Sequence, residues 1–223
     1  MRLPRWLRST PRWTPPPSGC GRFGWATHGR LSAARSSTLL RRWAETHPDV
    51  PLQLKRVDDR LAGLGEGLVD VALLRHQPDL TGLDSVWVRA EARVAALPAT
   101  HPLVQQATLT LSDLSSETLA LNVVSGTTSL DLWALQDRPT RTVRTSNTDD
   151  WLAVIAAEEA VGITTTATAE LQPFPGVTYR PISDAPPLHV WLAWPTTLAH
   201  PFAAALVDLV QQLTNNHQST TNA

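Results

Sequence analysis

The 223-residue chain is 42% hydrophobic and 17% charged, a balance that supports a packed core and excludes an unfolded polar chain. A formal net charge of -1 leaves no overall field for nucleic acid or an anionic membrane, and the single cysteine, Cys20, excludes an intrachain disulfide or a thiolate metal cluster. No apolar run reaches the ~20 residues that span a bilayer, and no apolar stretch follows the basic N-terminus as in an export signal, so a cytoplasmic protein without membrane contact is expected.

Charge is unevenly distributed: residues 1–42 hold nine arginines and no acid, the first acid being Glu45. Residues 1–21 (MRLPRWLRSTPRWTPPPSGCG) are rich in Pro and Arg, and Pro15-Pro16-Pro17 cannot sit inside a helix, so they read as a disordered tail or linker remnant. Arginines with Trp6 and Trp13 suit phosphate contact and base stacking, but a solvated linker is the simpler reading. Gly19-Cys20-Gly21-Arg22-Phe23-Gly24 spells G-x-G-x-x-G, yet a strand follows it where a dinucleotide site needs a helix, so it too reads as linker.

Beyond the tail, strand and helix patterns alternate. Arg22–Ala26 reads as a strand, and Leu31–Thr46 as a helix with Leu39, Leu40 and Trp43 at helical spacing, stopped by Pro48. Pro51–Arg56 alternates like a strand. Asp58 or Asp59 caps an expected helix to about Gly67 that packs Leu61, Leu64 and Leu68, and Val69–Leu74 is a short apolar run typical of a strand covered on both faces. The order β-α-β-α-β implies a parallel sheet with right-handed crossovers.

The second stretch repeats the theme. Strands are expected at Val86–Val88, Arg93–Leu97, Thr118–Leu121, Thr140–Thr145 and Val161–Ile163, with a helical turn at Leu111–Leu114 and helices from Thr127 to Leu135 and after an Asn147 or Asp149 cap. Val177–Arg180 and Val190–Ala193 read as returning strands and His200–Leu213 as a closing helix, followed by a frayed polar tail. The pattern describes an α/β protein of two lobes joined by two crossings.

Catalytic and metal motifs are sparse. The seven histidines (His28, His47, His76, His101, His189, His200 and His217) show no metal-ligand spacing, and Asp58-Asp59, Asp149-Asp150 and Glu158-Glu159 are adjacent pairs that cannot share a helix face. No G-x-S-x-G elbow or phosphate loop occurs, so the chain reads as a non-enzyme without metal or cofactor. What remains is a set of hydroxyl-rich loops at the C-terminal ends of the expected strands: Thr27-His28 with Ser32, Ser125-Gly126-Thr127-Thr128, Thr145-Ser146-Asn147 and Thr164-Thr165. Ligands of parallel α/β sheets bind beyond those ends, and hydroxyls with helix N-terminal amides suit a small polar or anionic metabolite; taken singly, each loop reads equally well as an ordinary cap.

Three segments carry a family resemblance. WAETHPDVPLQLKRVDDRLAGLGEGLVDVALL, from Trp43 to Leu74, resembles the first lobe of LysR-type effector domains, in its His47-Pro48-Asp49-Val50 step and its Gly67-Leu68-Val69-Asp70-Val71-Ala72 turn. Leu97-Pro98-Ala99-Thr100-His101-Pro102-Leu103 followed by Leu111-Ser112-Asp113-Leu114 is similar to the second lobe, and DDWLAVIAAEEAVGITTTATAE to the helix-to-strand junction of an actinobacterial-like subgroup. Glu158 and Ala160 depart from the glycines usual at that junction, which puts the helix end in question. The resemblance covers about residues 22–213.

It implies a type 2 periplasmic-binding-protein-like fold, each lobe a mostly parallel sheet flanked by helices, with lobe I at 22–90 plus 176–214, lobe II at 91–175 and a disordered tail at 215–223. It further implies the sensing part of a transcription regulator, a homo-oligomer (dimer or tetramer) reaching DNA indirectly through an attached or partner helix-turn-helix, which residues 1–21 cannot build. A stand-alone solute-binding protein of the same fold is the alternative.

Overall fold

The computed structural model describes residues 23–27, 33–76, 81–124, 126–197 and 199–221. Among these, ten strands form two five-stranded sheets. The first contains β1 (Phe23–Thr27), β2 (Leu52–Arg56), β3 (Val71–Leu74), β4 (Leu83–Glu91) and β10 (Leu188–Pro195), in the order β2-β1-β3-β10-β4. The second contains β5 (Arg93–Pro98), β6 (Thr118–Asn122), β7 (Arg141–Thr145), β8 (Val161–Thr165) and β9 (Val177–Pro181), in the order β7-β6-β8-β5-β9.

Both sheets are mixed. Four strands of each run in one direction, and the strand arriving from the other lobe, β10 or β5, inserts antiparallel among them. One placement corrects the expected lobe boundary: β9 pairs with β5 at the edge of the second sheet, so residues 177–181 belong to lobe II. The second crossing is therefore the segment between Pro181 and Leu188, and the first is Ala92 alone.

Short apolar runs become strands because both faces are covered. All of β3 is buried, with Val71 and Leu73 in the core under α1 (Ala33–Thr46) and α4 (Ala203–Thr221), and Ala72 and Leu74 in the cluster on the opposite face. Helix α1 sinks Leu39 and Trp43 into the first core, and the Trp43 indole donates to the Val50 carbonyl at 2.6 Å, fixing the turn into β2. Ala203, Leu206, Val207 and Val210 give α4 its buried stripe at helical spacing. This helix continues to Thr221, where a disordered tail was expected. The Asp70 carboxylate accepts from the Gly24 amide at 2.7 Å, and the Asp70 amide donates to the Gly24 carbonyl at 2.8 Å, which ties β1 to the start of β3.

Two expected helices are absent. Residues 59–68 form successive turns with left-handed residues at Ala62, Gly63 and Gly67. Glycines at 63, 65 and 67 cost about 1 kcal/mol each in a helix, more than the leucine spacing returns. Leu64 is buried as expected, but Leu68 is 50% exposed. From Gly126 to Ser129 the chain has no regular secondary structure, and two 3-10 turns follow at Leu130–Leu132 and Leu135–Asp137. Thr128 donates its hydroxyl to the Ile163 carbonyl at 2.7 Å, and Trp133 is buried with its indole on the Leu111 carbonyl at 2.8 Å; these anchors hold the segment flat on lobe II.

Helix α2 (Thr148–Ala156) starts where expected, with the Asn147 side chain accepting from the Asp150 amide at 2.8 Å and Asp149 and Asp150 in the positive first turn. It buries Trp151, Leu152 and Ile155. Glu158 adopts the left-handed conformation (φ 64°) at its end, a conformation that favours glycine, and receives the Thr100 hydroxyl at 2.6 Å. Gly162 in β8 lies against the Trp151 ring and the Ile155 side chain, where a Cβ would overlap both. A further short helix, α3 (Thr166–Leu171), was not anticipated.

The lobes meet at a buried polar junction. Glu91, at the end of β4, is 3% exposed and receives the Arg75 guanidinium at 3.1 Å, the Arg89 guanidinium and the Thr165 hydroxyl at 2.8 Å. Arg93, 7% exposed, donates to the Pro186 carbonyl in the second crossing and to the Thr127 carbonyl, both at 3.0 Å. The two crossings are thus tied to each other and to lobe II. Burial pushes the Glu91 carboxyl up, but Arg75, Arg89 and the hydrogen bonds outweigh it and hold the group below its ordinary 4.5.

Two outcomes follow from this packing. Gly162→Ala is expected to lower stability by about 1–3 kcal/mol through displacement of Trp151, read as a reduced denaturant midpoint with an unchanged slope. Because folding lowers the Glu91 value, its contribution is complete above the unfolded value and is lost as pH falls from about 4.5 through the folded value. Glu91→Gln, which removes the buried charge that Arg75 and Arg89 both hold, is expected to cost ~3 kcal/mol at neutral pH and to flatten that acid limb; melts at stepped pH read both effects.

Candidate functional site

A cleft of about 60 Å³ lies between the lobes. Lobe I contributes Arg56, the last residue of β2, and Arg75, the residue after β3. Lobe II contributes Asn122 at the end of β6, the Gly126-Thr127-Thr128 segment, Thr148 and Trp151 of α2, Ile163 and Thr164 of β8, and Thr168, Leu171 and Gln172 from α3 and its end. The parallel strands of both sheets therefore deliver their C-terminal ends to one gap, as this sheet geometry requires.

The walls are polar and cationic, and no Asp or Glu lines the cleft among the described residues. Arg56 pairs with Asp58 at 3.1 Å and reaches Asp149 of lobe II at 3.9 Å, across the mouth. Arg75 lies deeper, with its Nε on Glu91. The Trp151 indole donates to the Ala120 carbonyl at 2.9 Å, which fixes the ring as floor. The Gln172 side-chain oxygen is buried without a donor at this wall. Gly126 passes so close to the Asn122 carbonyl that a Cβ would overlap it, so this wall requires glycine.

The expected hydroxyl loops divide. Gly126, Thr127, Thr128 and Thr164 line the cleft. Thr165 does not: it is 1% exposed and its hydroxyl belongs to Glu91. Thr145, Ser146 and Asn147 are also outside the lining, because Asn147 spends its side chain capping α2, and Thr148 stands in the wall instead. His28, Ser32 and Ser125 lie outside the described residues, as does the side chain of Thr27. The helix expected to open at Thr127 is absent, so its N-terminal amides are not available as the anion donors envisaged, and guanidinium groups occupy the cleft. Sequence reasoning missed Arg56 and Arg75, although each stands at the C-terminal end of a parallel strand. Among the described residues no group of three or more His, Cys, Asp and Glu could hold a metal ion, and no helix is long and apolar enough to cross a membrane.

The LysR substrate binding domain family model matches residues 28–215. The uncharacterized HTH-type transcriptional regulator YnfL of Escherichia coli (strain K12) is 32% identical over 98 residues, which is 43% of this chain and 33% of that protein. The chain thus matches a third of the length of this curated relative. The effector binding domain of QuiR in complex with shikimate superposes with a TM-score of 0.75 at 14% identity, covering 88% of this chain and 98% of that one. The BenM effector binding domain with its effector benzoate gives 0.69 at 16% identity, covering 88% and 93%. At these identities the likeness establishes the fold, the two-lobed type 2 periplasmic-binding-protein-like architecture. With the family model spanning both lobes, the chain belongs to the LysR substrate binding domain family.

Proposed function

We propose that this chain is the effector-sensing part of a LysR-type transcriptional regulator and that its effector is a small carboxylic acid held between the lobes. The observation that carries this reading is the cleft wall: Arg56 and Arg75 from lobe I face Thr127, Thr148 and Thr164 from lobe II, and the lining holds no Asp or Glu among the described residues, Asp58 and Asp149 meeting Arg56 at the mouth. A carboxylate meets guanidinium donors on one side and hydroxyl donors on the other. A gap of about 60 Å³ holds the acidic head of such a molecule in the conformation described. The molecules named with QuiR and BenM, shikimate and benzoate, are both small carboxylic acids, which supports the same class here.

Sensing requires that the effector bind two lobe arrangements unequally. Arg75 provides the link, because it lines the cleft and also holds Glu91 at the lobe junction. An acid drawing on Arg75 alters its grip on Glu91, and so the balance between lobe arrangements. In the whole regulator this balance acts in the cytoplasm on the packing of a homo-oligomer, and through an attached or partner helix-turn-helix on DNA.

A thermal-shift screen of small carboxylic acids tests the reading. At about 100 times its dissociation constant, an effector stabilises by ~2.7 kcal/mol, which raises the melting temperature by roughly 5–10 °C. Thr164→Val is expected to weaken that acid about fivefold and Arg56→Gln about tenfold. A screen without any shift, or shifts indifferent to both substitutions, overturns the cleft as the effector site.

A further inference from the structure

The second crossing, between Pro181 and Leu188, is not a free connector. The Ile182 amide donates to the Arg93 carbonyl at 3.1 Å, and the Ser183 amide to the Leu109 carbonyl at 2.9 Å. The Asp184 carboxylate accepts from the Leu111 amide at 2.8 Å, and Ala185 packs on the lobe II core. The Pro186 carbonyl receives the Arg93 guanidinium at 3.0 Å. Every residue from Ile182 to Pro186 is thus fastened to lobe II, whereas Leu188 already opens β10, paired with Glu91 in lobe I. Pro187 alone stands between the two bodies.

The first crossing reduces in the same way. Ala92 is its one residue, and its carbonyl accepts from the Thr166 amide of lobe II at 3.0 Å. The two loose residues are neighbours in space, because Glu91 pairs with Leu188 on one side of them and Arg93 grips Pro186 on the other. Both are exposed, so turning there disturbs no core. Their freedom is narrow. The ring of Pro187 fixes φ and leaves ψ, and the held carbonyl of Ala92 leaves only its bonds toward Glu91.

We propose that residues 182–186 are a rigid arm of lobe II and that the lobes turn about a single axis through Ala92 and Pro187. A hinge needs only a few element-terminal residues to absorb the change in dihedral angles. Since the Arg93 guanidinium also holds the Thr127 carbonyl, the cleft wall travels with the arm as one body. The axis follows from the connections between the lobes and does not depend on what fills the cleft.

Time-resolved energy transfer in the ligand-free full chain tests it, with dyes on Glu66→Cys in lobe I and Gln136→Cys in lobe II and with Cys20 replaced by Ser. Ala92→Gly and, independently, Pro187→Gly are expected to widen the distribution of interlobe distances about 1.5-fold, because glycine opens dihedral space at a pivot. Ser183→Gly and Ala185→Gly make the same change inside the arm and are expected to keep the parent width, with cooperative melting in all four variants. Widening by either arm variant to the extent of the pivot variants overturns the rigid arm. A parent-like width in either pivot variant overturns the axis. No acid is present in the measurement, so both results leave the cleft reading untouched.

Discussion

Glu91 stands where the first sheet passes the chain to the second, one residue from the only peptide unit that separates β4 from β5. Its carboxylate is nearly sealed from solvent and collects donors from three elements: Arg75 beyond β3, Arg89 within β4 and Thr165 at the end of β8. A charge at 3% exposure is tolerable only when its partners surround it, so the relative placement of these elements is constrained together. Arg93, two residues on, does the same for the second crossing by holding the Pro186 carbonyl. The two lobes are therefore joined by hydrogen-bonded geometry at the crossing points rather than by a shared apolar core, whose clusters stay within each lobe.

This constraint explains why the cleft has the chemistry it has. The junction orients Arg75, and Arg93 holds Thr127, so one guanidinium and one hydroxyl-bearing wall are presented to the gap from opposite lobes. Any movement of one lobe against the other changes these contacts directly. An anion in the gap competes for the same guanidinium that steadies Glu91, and that is the physical basis on which occupancy is converted into lobe geometry in the proposed function.

Much of the fold was legible because its signals are local. Val71–Leu74 is apolar throughout and is covered on both faces; Leu39 and Trp43 mark the buried stripe of α1; Asn147 caps α2 as its side chain dictates. The insertion of β10 between β3 and β4, and the membership of β9 in the second sheet, were not legible, because strand order depends on pairings between residues far apart in the sequence. The site was half legible. Strand-end position led to Thr127, Thr128 and Thr164, which line the cleft, but residue type does not separate them from Thr165, whose hydroxyl serves the junction, and a search for hydroxyls did not single out Arg56 and Arg75. The segment 59–68 misled because leucine spacing outweighed its glycines, and 126–137 because its hydroxyl and indole anchors join residues distant in the sequence.

The most direct measurement is the distance between the lobes with and without an acid that scores in the thermal-shift screen. Spin labels at Glu66 in lobe I and Gln136 in lobe II, both exposed, report it by pulsed electron resonance once Cys20, the sole cysteine, is replaced by Ser. The account predicts that saturating acid shifts or narrows the distance distribution and that Glu91→Gln alters the distribution of the free chain. Identical distributions with and without bound acid would contradict a cleft that senses its ligand by moving the lobes.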